Sequence, residues 1–375
     1  MLVLFVMFAV VVISLLLGEL GQEFATMGMT LLPIGLLAVL AHVGEHKVWA
    51  RGGTLALLAL LVLAAAAVFA QQASDLLEIR GQVAADATSA TGDASGSSEN
   101  VAGDDQIILG IWTVSLLGVV LSALMLVRAV RVRVAQVLPI DERRFAHAVA
   151  LSLTVAFVAS SCAPLLCVGE PVTTALVVEE ARAQEGGATG SPADLYFQVY
   201  QLLWLLPVCF LGVGYGVHRS FAQSLARLGL VRPTGKQLLG SVGVAMALVI
   251  GVGFLSLAID SAWEFLGWRG TDKEGVEQLM GYMLTPVGAL VVGVSAGLGE
   301  ELLVRGVLQP RLGIALSNLL FTALHAGQYG FDLLLVIFAV GSVFGLVRKY
   351  TNTTVSAVVH GLYDVFLISI AMANG

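Results

Sequence analysis

The sequence predicts an all-α, polytopic transmembrane helix bundle of about eleven spans, and three observations carry that expectation. Hydrophobic residues make up 58% of the 375 and charged residues 12%, with mean hydropathy +0.91, whereas a water-soluble domain carries about 25% charged residues. Apolar runs long enough to cross a roughly 30 Å hydrocarbon core recur along almost the whole chain. The loops between them alternate in charge. The runs are continuous and rich in Leu, Ala and Val, unlike the short alternating strands of an outer-membrane barrel.

In chain order the expected spans are approximately 2–17, 27–43, 54–71, 107–127, 145–166, 196–217, 238–258, 283–309, 312–326, 332–347 and 353–372. The first, Leu2 to Leu17, lacks the basic flank and small-x-small cleavage site of a secretion signal and reads as a span. Basic residues mark one side: Lys47 and Arg51, then Arg128, Arg131, Arg133, Arg143 and Arg144, then Arg219, Arg227, Arg232 and Lys236, then Arg311, then Arg348 and Lys349. By the positive-inside rule that side is cytoplasmic. Acidic residues collect in the alternate loops, at Glu19 and Glu23, over 75–105 and over 170–185. The N-terminus is then cytoplasmic as well.

Three regions follow. Residues 1–217 form an N-terminal multi-span region with no assigned role, 218–236 a cytoplasmic interfacial linker, and 237–375 the region with ionisable residues inside spans. The linker spaces Phe and Leu among basic residues, which suits an interfacial helix and, nearly as well, a plain connection. Residues Ala84 to Gln106 are rich in Ala, Gly, Ser, Thr and Asp without apolar periodicity, and read as a mobile outer loop. The net charge of −7 resides in loops and no polybasic motif is present, so nucleic acid is not an expected partner. Three cysteines are too few for a disulfide framework; Cys162 and Cys167 lie near one span end as a pair or, preferably, as two apolar fillers. Trp263, Trp268 and Tyr282 read as an interfacial aromatic belt.

Ionisable residues within spans are costly and therefore mark functional sites. One group is Glu300, Glu301 and Arg305, preceded by small residues Gly293, Ser295, Ala296 and Gly297 that let helices approach closely. His325 follows Phe321 by four, and His360 precedes Asp364 by four. Positions three or four apart share a helix face, so Arg305 pairs with Glu301 while Glu300 points elsewhere, toward another helix. Glu300 lies eleven residues before Arg311, His325 fourteen after it, and His360 ten after Tyr350. At about 1.5 Å per residue all three sit at roughly 15 to 20 Å depth and can converge. A carboxylate beside an imidazole in a poorly solvated pocket is a competent general base for water, and a second imidazole can polarise a scissile carbonyl. Two histidines and a carboxylate also make a zinc set, a minority reading because no His-Glu-x-x-His helix is present. The expected cofactor is therefore none.

Glu-Glu-x-x-x-Arg, then Phe-x-x-x-His, then His-x-x-x-Asp, in this order on apolar helices, resembles the CAAX prenyl endopeptidase and bacteriocin-processing family of glutamate-type intramembrane proteases. The resemblance covers about residues 238–372. It implies an endopeptidase acting on a membrane-associated peptide or protein, with Glu300 as activating base, His325 its partner, His360 and Asp364 on the oxyanion side, and Glu301 with Arg305 in support. Prenyl-protein endopeptidases of this family often end the last motif in Asn, whereas this chain has Asp364. An ionised Asp donates no hydrogen bond, so it must carry a proton or orient His360. The competing readings are a non-catalytic immunity or scaffold protein and a metal-dependent membrane hydrolase. Composition favours a bacterial plasma membrane, which makes prenylated substrates the less expected class.

Overall fold

The computed structural model describes residues 2–91, 97–183 and 193–374, with side chains described outside 84–102 and 181–194. Helices carry the fold: α1 Leu2–Ser14, α2 Gly18–Val43, α3 Val48–Thr91, α4 Ser97–Leu124, α5 Arg128–Val134, α6 Phe145–Val168, α7 Val172–Ala183, α8 Ala193–Gly212, α9 Phe221–Leu228 and α10 Gly235–Leu266. The C-terminal part follows with α11 Lys273–Met280, a 3₁₀ turn at Gly281–Met283, α12 Pro286–Glu301, a π-helical segment Leu302–Leu308, α13 Gln309–Ala323, α14 Phe331–Tyr350 and α15 Thr353–Asn374. Among the described residues nine helical stretches are long and apolar enough to cross a membrane. The chain is a multi-pass, all-α membrane protein.

The nine differ from the expected eleven at two places. Helix α1 is apolar but only 13 residues long, about 20 Å of rise. The expected spans 283–309 and 312–326 fall within one apolar stretch, Pro286–Ala323, which reverses at Gly313. That residue has φ 76° and ψ 175°, a conformation open to glycine and strained for residues with a Cβ. Before it, Arg305 lies against Gly341 and Gln309 against Gly345, running parallel to α14. After it, Asn318 Nδ2 donates to Phe338 O (2.7 Å) and Ser342 Oγ (3.0 Å), so the chain runs back along α14. The returning part, residues 314–323, rises about 15 Å, too short to cross the hydrocarbon core.

Ala84 to Gln106 also differs from expectation. Residues 84–91 close α3 and 97–106 open α4 as helix, while 92–96 lie outside the described residues. Alanine, the best helix former, outweighs the missing apolar periodicity. Part of the outer acidic stretch expected over 170–185 likewise falls in 184–192, outside the described residues. The linker 218–236 holds α9, with Ser220 and Gln223 forming a reciprocal capping box at its start and Leu228 buried. A second box, Thr234 with Gln237, opens α10 and satisfies two backbone donors that lipid would not.

Two close crossings frame the interior. Helices α2 and α8 run parallel, with Gly28 under Trp204 and Gly35 against Leu211, and Trp204 Nε1 donates to Phe24 O at 2.8 Å. Helices α12 and α15 run antiparallel, with Gly293 against Gly361 and Gly297 against the Ala357–Gly361 backbone. A Cβ on Gly297 would meet Ala357 O and Gly361 N at 2.8 Å. Small residues allow that approach, which brings the end of α12 to the face of α15 that carries His360.

Candidate active site

Glu300 and Glu301 close α12, and the next seven residues form the π-helical segment. A π-helix widens the turn by one residue and occurs mostly as a short bulge at functional sites. Glu301 and Arg305 face each other across its start, with Arg305 Nη1 3.3 Å from Glu301 Oε1 and both side chains almost wholly excluded from solvent. Arg305 Nη2 donates to Gly341 O at 2.8 Å. The guanidinium also lies 4.7 Å from the centre of the Phe321 ring and 5.7 Å from that of Phe344, so aromatic faces cover the cation where lipid or water would otherwise meet it.

Glu301 has two further partners that the motif spacing did not show. Ser356 Oγ donates to its Oε2 at 2.6 Å, and His360 Nδ1 lies 3.1 Å from its Oε1. A carboxylate oxygen accepts, so Nδ1 carries the proton and Nε2 faces away from Glu301. The imidazole is fixed on its flat side as well, stacked on Phe344 with ring centres 4.4 Å apart and planes 23° apart. Ser356 precedes His360 by one helical turn, the one signal in the sequence that identifies it as a neighbour.

His360 Nε2 meets two other carboxylates, Asp364 Oδ2 at 3.5 Å and Glu300 Oε2 at 4.0 Å. Three acids from two helices thus surround one ring. For the Nε2 contacts to attract, a proton must sit between that nitrogen and one of these oxygens. Asp364 stands beside the ring from one turn further along α15, the position from which a side chain orients an imidazole.

His325 lies just past the end of α13, in the turn that follows the returning helix, rather than within a complete span. Its Nδ1 is 2.8 Å from Phe321 O, so this nitrogen donates and Nε2 is left as an acceptor. Phe321 packs edge-on against it, with centres 4.9 Å apart. Among the described residues His325 makes no ion pair with Glu300; the two share a cavity, and the imidazole in contact with Glu300 is that of His360.

That cavity has a volume of about 1400 Å³. Glu300, His325, His360 and Asp364 line it, while Glu301 and Arg305 stand behind its wall. Most of its lining is apolar and comes from both halves of the chain, including Leu31 and Ile34 of α2, Phe157 of α6 and Leu205 of α8. Its lining reaches His42 near the end of α2 and Arg311 of α13 in one direction, and Glu23 and Lys273 in the other. Tyr282, expected in an interfacial belt, lines the cavity instead and accepts a hydrogen bond from Gln198 Nε2 at 3.0 Å. Cys162, Cys167 and Cys209 are free thiols. Among the described residues no group of three or more His, Cys, Asp or Glu is arranged to hold a metal ion.

Residues 283–366 match the family model described as Rce1-like, type II CAAX prenyl endopeptidase Rce1-like. No curated protein and no solved structure matches the chain. The matched stretch begins in the 3₁₀ turn before α12, ends inside α15, and contains Glu300, Glu301, Arg305, His325, His360 and Asp364. Such a family implies an intramembrane protease of the CAAX type, and the apolar helices suit a membrane-associated substrate. By that match, residues 283–366 of this membrane protein are similar to the Rce1-like family.

Proposed function

We propose that this protein is a glutamate-type intramembrane endopeptidase, hydrolysing a peptide bond of a membrane-associated peptide or protein with water activated by Glu300 and His325. The observation that carries the reading is the convergence of Glu300, His325, His360 and Asp364 on one largely apolar cavity inside membrane-spanning helices. An apolar chamber with a few convergent polar groups suits an extended apolar segment, whose hydrogen-bonding peptide groups need a local partner.

In the proposed reaction Glu300, assisted by the acceptor Nε2 of His325, takes a proton from water, and the hydroxide attacks the carbonyl carbon. We give the role of donor to the oxyanion to His360 Nε2, in the form in which it carries a proton; this nitrogen lies 4.0 Å from Glu300 Oε2. The proton taken by Glu300 then passes to the amide nitrogen, the C–N bond breaks, and the new carboxylic acid gives its proton to the amine, so that a carboxylate and an ammonium group leave. Glu301 keeps the His360 Nδ1–H in place, and Asp364 orients the ring from the Nε2 side. No resident metal enters this scheme. We place the basic loops in the cytoplasm by the positive-inside rule, and the Ala-, Gly- and Leu-rich composition suits a bacterial plasma membrane.

The test is comparative peptide profiling of cells carrying the native chain or Glu300→Gln at equal abundance. Uncleaved precursors that accumulate only with the variant name the substrate. A variant that processes every precursor as the native protein does overturns the reading.

A further inference from the structure

The turn that carries His325 is held from outside the family-matched stretch. On the side away from the basic loops, residues 324–330 join α13 to α14, and the amides of Gln328 and Tyr329 both donate to His325 O at 3.0 Å. Helix α7 lies against this turn. Its first residues donate three hydrogen bonds to it: Thr173 N to Gly327 O (2.8 Å), Thr174 N to the same oxygen (3.3 Å), and Thr174 Oγ1 to Gln328 O (2.7 Å). Thr174 is 1% exposed. The far end of the turn is tied separately, because Gly330 N donates to Thr271 Oγ1 at 2.8 Å while Thr271 donates through N and Oγ1 to the buried Asp332.

The start of α7 is itself anchored. Glu170, two residues before it, pairs with Arg80 of α3 and with Arg269 before α11, the latter at 2.7 Å. Gly275 of α11 packs on Thr174 and Val178. The N-terminal region thus forms a braced wall from which one buried hydroxyl reaches the carbonyl of Gln328, three residues beyond His325. The close fit extends to Gly327, where a Cβ would meet Thr173 Oγ1 at 2.7 Å.

We propose that Thr174 is a positioning residue for His325: by fixing the turn it keeps Nδ1 on Phe321 O and so leaves Nε2 as the proton acceptor toward the cavity. The proposal rests on the reading of His325 as the partner of Glu300, and it gives the N-terminal spans a task in the site. Loss of the hydroxyl leaves Gln328 O without that donor and loosens the part of the turn next to His325, while the backbone bonds to Gly327 O remain. The ring then gains orientations in which Phe321 O no longer selects the tautomer.

The test uses the full chain in lipid nanodiscs with ring-¹⁵N histidine, read by ¹⁵N NMR, with His325→Gln assigning the His325 signals. The native protein should show His325 as the Nδ1–H tautomer. Thr174→Val should shift the tautomer ratio about tenfold, the size of one lost hydrogen bond, and leave the His360 signals unchanged. Thr174→Ser should restore the native spectrum. Native His325 signals in Thr174→Val, failure of Ser to restore them, or His360 signals that move in parallel would each overturn the proposal. If Thr174→Val does not fold, Gly327→Ala replaces it: the same His325 shift is expected, reversed by adding Thr173→Ala, and its absence or persistence in the double variant counts against the clamp. Because the measurement reads ring nitrogens and not hydrolysis, it stands apart from the Glu300→Gln profiling that tests the function.

Discussion

Glu301 and His360 meet at 3.1 Å across the α12–α15 crossing, and through that contact the carboxylate outside the cavity controls the imidazole inside it. The two adjacent glutamates therefore stand in different surroundings. Glu300 touches the chamber, whereas Glu301 joins Arg305, Ser356 and His360 in a buried network.

Glu300→Gln and Glu301→Gln should accordingly fail in different ways. The first removes the proposed base from a partly open position, so proteolysis should disappear while stability stays within about 1 kcal/mol of the native protein. The second leaves Arg305 buried without its carboxylate, a loss of about 3–5 kcal/mol when a buried pair is broken. Thermal unfolding in detergent, measured beside processing of the accumulated precursor, separates the two. Equal destabilisation by both substitutions would contradict the division of labour.

Ser356→Ala is a milder probe of the same network. It deletes a 2.6 Å hydrogen bond to a buried carboxylate, worth about 1.5–3 kcal/mol, and leaves Glu301 free to move relative to His360. Turnover should fall more than substrate affinity, since the ring and not the chamber wall is disturbed. A rise in KM with unchanged kcat would place Ser356 in binding instead.

Much of this arrangement was legible in the sequence because helix periodicity is local. The Glu301–Arg305 pair, the separate direction of Glu300 and the one-turn spacing of His360 and Asp364 follow from residue separations of one to four. The contact of Glu301 with His360 was not legible, because it depends on how closely Gly297 lets α12 approach α15. Nor was the reversal at Gly313, where a hydrophobic run continues across a sharp turn and hydropathy registers only the run. Residues 84–91 and 97–106 misled for the opposite reason: their polarity suggested a loop while they form the end of α3 and the start of α4.

Asp364 can be tested by the residue that the family motif often carries there. If the side chain orients His360 from the Nε2 side, Asp364→Asn keeps an oxygen and adds a donor of the same shape, and kcat/KM should stay within about tenfold of native. Asp364→Ala removes both and should cost about a hundredfold, the scale of a misplaced catalytic group. The comparison is made on one precursor at one pH. Loss of activity in Asn equal to that in Ala would mean that the carboxylate charge itself is required.

Metal dependence has its own readout. The proposed chemistry needs only protein side chains, so incubation with a membrane-permeant chelator followed by its removal should leave precursor cleavage unchanged, and added zinc should not raise it. Loss on chelation with recovery on zinc would favour a metal-dependent hydrolase, in which imidazole nitrogens and carboxylates would serve as ligands.

The α12–α15 crossing offers the last test, because it changes the site without touching an ionisable group. In Gly297→Ala the new methyl meets two backbone atoms of α15 at 2.8 Å, and backbone cannot swing aside as a flexible side chain does. The helices must separate by several tenths of an ångström, an overpacking cost of about 1–3 kcal/mol. That separation falls one turn from Glu301 and lengthens its reach to His360, so activity should drop further than stability predicts. Gly240→Ala, on α10 with open space around it, supplies the control and should be neutral in both. If Gly297→Ala were as active as the control, the close approach of the two helices would not be what assembles the site.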